Sequence, residues 1–152
     1  MLNLIKDPWI PVLTRGGERR VIRPADLSVD AGTDREPLRP AWPRPDFDVA
    51  TWEFLIGLAF VALAPRRTRE WARRYDDPPS PGELHDALAP FAPAFEISGD
   101  GPRFLQDLEA FETGTPSPIE RLLIDAAGGS AVKKNADLMV HRDRYAAFDP
   151  PT

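Results

Sequence analysis

The sequence has 152 residues, 42% of them hydrophobic, and a net charge of −5. A chain of this length can bury one core, and its acidic balance argues against a free-standing, non-specific nucleic-acid binder while leaving room for a local basic patch inside an assembly. The absence of cysteine excludes disulfides and the usual structural zinc sites, and eighteen prolines predict long irregular connections.

The opening Met1-Leu2-Asn3-Leu4 has neither a basic n-region nor a long apolar h-region, so the expected location is cytoplasmic. Residues 8–23 read as a hairpin, with Arg15-Gly16-Gly17 as the turn. Pro8 and Pro11 cannot donate to a ladder, which predicts an edge position for the first strand. Pro24-Ala25-Asp26-Leu27 reads as a brief helical turn, and Thr33 to Pro45 as an extended linker.

Residues 46–64 are the only long apolar run, with Asp46 or Asp48 at the N-cap position and Pro65 as the stop. On a helical wheel Val49, Trp52, Ile56, Phe60 and Leu63 share one face, and Phe54, Leu58 and Val61 cover the opposite one. Eleven uncharged residues lie between Glu53 and Pro65, short of the ~20 a membrane span needs, so the expected place is a core. Residues 66–75 follow as an amphipathic helix whose arginines, Arg66, Arg67, Arg69, Arg73 and Arg74, fall within one arc. Two readings stand for that arc: a solvated outer face, or a surface that meets phosphates or a protein partner.

Ser80-Pro81-Gly82-Glu83 carries the pattern of a capped helix start for residues 81–89, and Ser117-Pro118-Ile119-Glu120 repeats it for residues 118–125. Residues 94–97 read as a short strand and Phe104-Leu105-Gln106 as another extended piece. The segment 127–137 is then a glycine-opened basic loop. It carries two of the three lysines, Lys133 and Lys134, beside Gly128, Gly129 and Asn135. Backbone amides freed by glycines, with two ammonium groups and an amide, form a grip for phosphates or base edges, and a mobile surface loop is the competing reading.

A search for catalytic patterns finds little. The two histidines, His85 and His141, have no partners at metal-ligand spacing, and the carboxylate pairs Asp46/Asp48 and Asp76/Asp77 adjoin prolines at helix ends, where capping accounts for them. No phosphate-binding loop, dinucleotide fingerprint, nucleophile elbow or zinc-protease motif occurs. The expectation is a non-enzyme with no metal and no cofactor.

The block Asn3-Leu4-Ile5-Lys6-Asp7-Pro8-Trp9-Ile10-Pro11-Val12 resembles the opening of the CasA family, the large subunits of the type I-E CRISPR surveillance complex Cascade. Three further blocks follow in the family's order: the apolar helix from Asp48 to Pro65, Pro102-Arg103-Phe104-Leu105-Gln106, and Ser117-Pro118-Ile119-Glu120-Arg121-Leu122-Leu123 with the glycine–lysine loop behind it. The resemblance covers nearly all of this chain but only the N-terminal part of the family, whose members continue into a C-terminal four-helix bundle. It therefore implies a fragment.

The fold implied is α+β, with a small N-terminal antiparallel sheet packed on a central apolar helix, several shorter helices and long Pro-rich connections. The implied function is that of a non-catalytic subunit. It contacts the 5′ handle of the CRISPR RNA, assists recognition of the protospacer-adjacent motif (PAM) in double-stranded target DNA, and helps recruit the helicase–nuclease beside the other Cascade subunits. Carried over, the nucleic-acid contacts fall on Gly128, Gly129, Lys133, Lys134 and Asn135, with Met139 where relatives carry an aromatic. The family's PAM-reading loop lies further along, outside this sequence. A structural docking module working through the Arg66–Arg74 face is the alternative. With part of the domain missing, Phe54, Leu58 and Val61 would need cover, either from self-association of the fragment or from its own proline-rich segments.

Overall fold

A computed structural model describes residues 2–106, 114, 115, 117, 122, 123 and 126–136. The chain divides into two compact units, Met1–Gln106 and Asp107–Thr152. In the first, a three-stranded antiparallel sheet and a set of helices give an α+β fold.

The sheet comprises β1 (Ile10–Thr14), β2 (Arg19–Ile22) and β3 (Pro37–Pro40) in the order β2-β1-β3. The turn between β1 and β2 closes with Gly17 N–H donating to Thr14 O at 3.0 Å, and Gly17 holds a φ of 85° that favours glycine. Gly16 is required for a different reason: a Cβ there would lie 3.0 Å from the backbone oxygen of Asp34.

Contrary to the expectation from its prolines, β1 is the central strand, and β3 lies within the segment read as a linker. Ala41 N–H donates to Pro11 O at 2.8 Å, but Pro11 has no N–H to return to Ala41 O. Arg19 Nη1 donates to that carbonyl instead, at 3.0 Å. A guanidinium from β2 thus replaces the missing ladder donor, and a proline becomes tolerable in mid-sheet. Pro37 and Pro40 lie on β3, one of the two edge strands, where a missing donor is tolerated.

Helix α1 (Pro45–Leu63) begins with Pro45 at the first turn and Arg44 as a cap residue whose side chain makes no cap bond. Neither Asp46 nor Asp48 is therefore the N-cap. Both sit in the first turn, favourable to the helix dipole, and Asp48 Oδ1 accepts the Trp42 backbone N–H at 2.9 Å. The helix ends at Ala64 in the left-handed region (φ 35°), with Pro65 preventing continuation.

Helix α1 is not enclosed all round. It buries Thr51, Leu55 and Leu58, while Val49, Trp52, Ile56, Phe60 and Val61 are exposed. Leu55 packs with Ile10, Val12 and Ile22 of the sheet, and Leu58 with Ile5, Ala25, Leu84, Leu88 and Ala92. Of the three residues expected to need cover, Leu58 is buried, Phe54 is half-buried and meets Trp9, Phe95 and Phe104 edge-on, and Val61 remains exposed. The proline-rich 3-10 helix Ala89–Ala94 supplies part of that cover, with Phe91 and Phe95 packed against the Leu58 cluster. What it leaves open is an apolar groove of about 290 Å³ along Phe54, Gly57, Val61, Phe91 and Phe104.

Helix α2 (Thr68–Asp76) fully buries no residue, and α3 (Pro81–Leu88) buries Leu84 and Leu88. The α3 start carries a full capping box, with Ser80 Oγ accepting Glu83 N–H and Glu83 accepting Ser80 N–H. The bonds that Glu83 accepts from Ser80, the backbone one first, hold its carboxyl below the ordinary range. Residues 94–97 are not a strand: Ala94 ends the 3-10 helix, and only Glu96 pairs, in a single bridge with Asn3. Among the described residues no single helix is long and apolar enough to cross a membrane.

The bridge at Asn3 is part of a larger junction. Asn3 is buried, its Nδ2 donates to Ala92 O and to Glu96 Oε1 (both 2.8 Å), and its Oδ1 accepts the Ile5 and Lys6 N–H groups at 3.0 and 3.1 Å. Leu4 N–H donates to Phe95 O and Ile97 N–H to Leu2 O, both at 3.0 Å, while Asp7 Oδ2 accepts Asn3 N–H at 2.7 Å. Trp9 Nε1 donates to Leu4 O at 2.9 Å. The N-terminal block that carries the family resemblance is thus a structural fastener.

Asn3→Ala leaves the Ala92 carbonyl and the Ile5 and Lys6 amides without their partner. Because each stranded buried group costs ~1–3 kcal/mol, it should lower stability by about 3 kcal/mol, read as a drop in the urea midpoint at constant m-value. A second expectation concerns Asp26. Burial opposes its charge, but hydrogen bonds from Arg23 and the charges of Arg23 and Arg20 outweigh burial and leave its pKa lowered. Its contribution is therefore full above the unfolded-state value, near ~4, and is lost as pH falls through the lower folded value. Asp26→Asn should cost about 1 kcal/mol at neutral pH, and the gap to the parent protein should close on acidification.

Candidate nucleic-acid interface

The basic segment lies in the second unit. Its described part, residues 126–136, contains α4 (Gly129–Lys133), so the stretch expected to be a loop is one helical turn with built ends. Gly128 is its N-cap in extended conformation (φ −66°, ψ 149°), and Gly128 O accepts the N–H groups of Ala131 and Val132 at 2.8 and 3.1 Å.

The other end is closed by a Schellman arrangement. Asn135 N–H donates to Val132 O at 3.2 Å and Ala136 N–H to Ala131 O at 2.9 Å, with Asn135 in the left-handed region at φ 49°. Asparagine tolerates that region better than most residues, so the backbone itself gives a reason for Asn135. The turn fixes Lys133 at its last helical position and Lys134 at its C-cap, and both are exposed. Cations there also suit the carbonyl-rich end of a helix. Neither Gly128 nor Gly129 has a positive φ, and a Cβ on either would meet nothing within 4 Å. The chain's own packing in the described residues does not demand glycine at these two positions. Asp137, Met139 and His141 lie outside the described residues, as does most of the expected helix 118–125.

The arginine arc is less uniform than its sequence suggests. Arg66 and Arg67 precede α2, with Arg67 as its N-cap, and only Arg69, Arg73 and Arg74 lie within it. Arg66, Arg67, Arg69 and Arg73 are exposed, and Arg74 is half-buried. Arg66 N–H donates to Glu70 Oε2 at 2.7 Å. The cleft of about 520 Å³ beside α2 is lined by Arg67, Arg69 and Arg73 but equally by Glu70, Asp76 and Asp77. A phosphate approaching there would meet three carboxylates with its three guanidiniums, so the surface fits a mixed-charge partner better than a polyanion.

The remaining candidates do not converge. His85 is exposed on α3, Asp76 and Asp77 are exposed at the end of α2, and Asp46 is paired with Arg44 at 2.7 Å. Among the described residues no group of three or more His, Cys, Asp or Glu side chains is placed to hold a metal ion. The groove lined by Phe54 and Phe104 has Glu53 as its only charged lining residue, and so lacks the convergent polar groups of a substrate pocket.

Two comparisons with known proteins agree. The fold is similar to that of CasA (Cse1) from Thermus thermophilus, with TM-score 0.64, 27% sequence identity, and coverage of 81% of this chain and 27% of that one. Two further crystal structures from the same organism, one described as CasA and one as a CRISPR-associated protein, match at TM-score 0.63 and 27% identity over 80% of this chain. The chain thus spans about a quarter of the length of these relatives. The family model for CRISPR-associated protein Cse1 matches residues 3–151, and the chain belongs to that family.

Proposed function

We propose that this chain is the N-terminal part of a non-catalytic Cascade subunit, and that its contribution to nucleic-acid contact is made by Lys133 and Lys134 on the capped turn Gly129–Lys133. The observation that carries the reading is the turn itself. Two adjacent ammonium groups are exposed on a segment whose ends are fixed by backbone hydrogen bonds, in a chain of the Cse1 family. Gly128 before the turn and Gly129 at its first position carry no side chain over the backbone, so a phosphate can approach the turn closely. Asn135 acts mainly through the turn's geometry.

The ligand suggested by family membership is the 5′ handle of the CRISPR RNA, bound within the assembled complex. Two lysines on a chain of net charge −5 give little affinity alone. PAM-dependent recognition of double-stranded DNA and recruitment of the helicase–nuclease would then belong to the assembly to which this portion is anchored. The Arg66–Arg74 surface, with its interleaved carboxylates, suits docking against another subunit, and that is the second reading.

In a reconstitution, Lys133→Ala with Lys134→Ala should weaken binding of the subunit to the RNA-loaded remainder of the complex and reduce the slope of log K against log salt for that step by about 1.5. An unchanged slope with normal assembly would assign the contact elsewhere. Loss of assembly on reversing Arg69 and Arg73, with the lysine variants assembling normally, would favour the second reading.

A further inference from the structure

Among the described residues, the segment 66–77 is held to the rest of the first unit at its two ends and at one ring. The near end is fixed at Ala64, whose N–H donates to Phe60 O at 2.9 Å and whose left-handed φ of 35° turns the chain into Pro65. The far end is fixed at Pro79, whose carbonyl accepts Ser28 Oγ at 2.6 Å, beside the Ser80 cap of α3. Between these points the hydrogen bonds are local. Arg66 N–H donates to Glu70 Oε2, Glu70 and Trp71 N–H to Arg67 O, and Asp77 N–H to Arg73 O. Among the described residues no salt bridge joins α2 to another element, and the cleft beside it is lined by its own residues and the two flanking ones, Arg67 and Asp77.

The one ring contact is Phe60 on Trp71, with centroids 6.3 Å apart and planes 22° apart. It is a wet contact, since the two residues are 57% and 50% exposed. The helix has little else to keep it folded. Nine residues are fewer than the ~12–15 at which an isolated helix becomes even marginal in water. Its N-cap, Arg67, makes no side-chain cap bond. Arg73 and Arg74 suit the last turn, but Asp76 and Asp77 at the carbonyl-rich end do not. The neighbouring helices differ, because α1 sets Leu55 and Leu58 into the two core clusters and α3 adds Leu84 and Leu88.

We propose that residues 66–77 form a strap that opens independently of the core, with the Phe60–Trp71 stack as its latch, and that closing the strap assembles the charged face. Closed, the helix gathers Arg69, Glu70, Arg73, Asp76 and Asp77 around one cleft. Open, the same charges disperse along a chain tethered at Ala64 and Pro79. A partner that reads the gathered charges therefore binds the closed strap and stabilises it in return. That consequence rests on the second reading of the Arg66–Arg74 surface, as a docking face, whereas the opening itself does not.

Amide hydrogen exchange followed by NMR on the 152-residue protein tests the strap. The amides from Ala72 to Asp77 should exchange at least about 100-fold faster than those of Leu58 and Leu88, and with little dependence on dilute urea. Phe60→Ala should speed them a further ~2–10-fold while Val12 and Leu88 keep their protection, and Trp71→Ala removes the same latch from the other side. Phe60→Tyr, which keeps a ring to stack, should restore the parent rates. Exchange of Ala72 to Asp77 with the same free energy as Leu58 and Leu88 would overturn the proposal. So would rates that neither Phe60→Ala nor Trp71→Ala changes, or an equal acceleration at Val12. Reversal of Arg69 and Arg73 in the assembly tests the docking face separately, and normal assembly there would leave the exchange result standing.

Discussion

The buried amide of Asn3 is the contact on which the first unit's arrangement depends. Its two donors and its acceptor are all used, toward Ala92, Glu96, Ile5 and Lys6. A chain terminus ordinarily frays because few contacts hold it. Here residues 2–7 are threaded between the 3-10 helix at Ala89–Ala94 and the start of the sheet, and the amide satisfies backbone groups that burial would otherwise strand. The consequence reaches the core. Ile5 is placed beside Leu58, Leu84 and Leu88, and Trp9 is tied to Leu4 O, where its ring meets Trp42 and Phe54. One polar side chain thereby joins the strand layer to the helix layer.

That junction divides the labour along the chain. The family's N-terminal signature works as scaffold, because its polar groups are committed to internal hydrogen bonds. Exposed chemistry is concentrated elsewhere: two lysines on a capped turn in the second unit, and in the first unit an apolar stripe along α1 and a mixed-charge α2. Trp42, in the proline-flanked segment before α1, follows the same rule. Its Nε1 donates to buried Thr51 Oγ1 at 2.9 Å, which fixes the entry of the helix and satisfies a polar group inside the core face.

Much of the fold was legible in the sequence because its signals are local. The Gly16-Gly17 turn, the Ser80–Glu83 capping box and the proline stop at Pro65 each act over a few residues, and the structure carries all three. What escaped was non-local. Pro11 argued for an edge strand, and only the spatial neighbour Arg19, donating to Ala41 O, makes a central position possible. Helical periodicity shows that α1 is apolar all round but cannot say which side meets the sheet, so by itself it assigns the exposed Trp52–Ile56–Phe60 face to the core. At the candidate site, the lysines and glycines stood out by composition. The role of Asn135 depended on a left-handed backbone that no single residue announces. The arginine arc was legible as charge, but the carboxylates that line the same cleft temper it.

Native-state amide hydrogen exchange at Leu4, Ile5 and Ile97, compared with Val12 in β1, tests the central claim most directly. If Asn3 fastens the terminus to the core, these amides open only with the whole unit and exchange with the same free energy as Val12. Exchange of Leu4, Ile5 and Ile97 by local fraying, while Val12 stays protected, would contradict it.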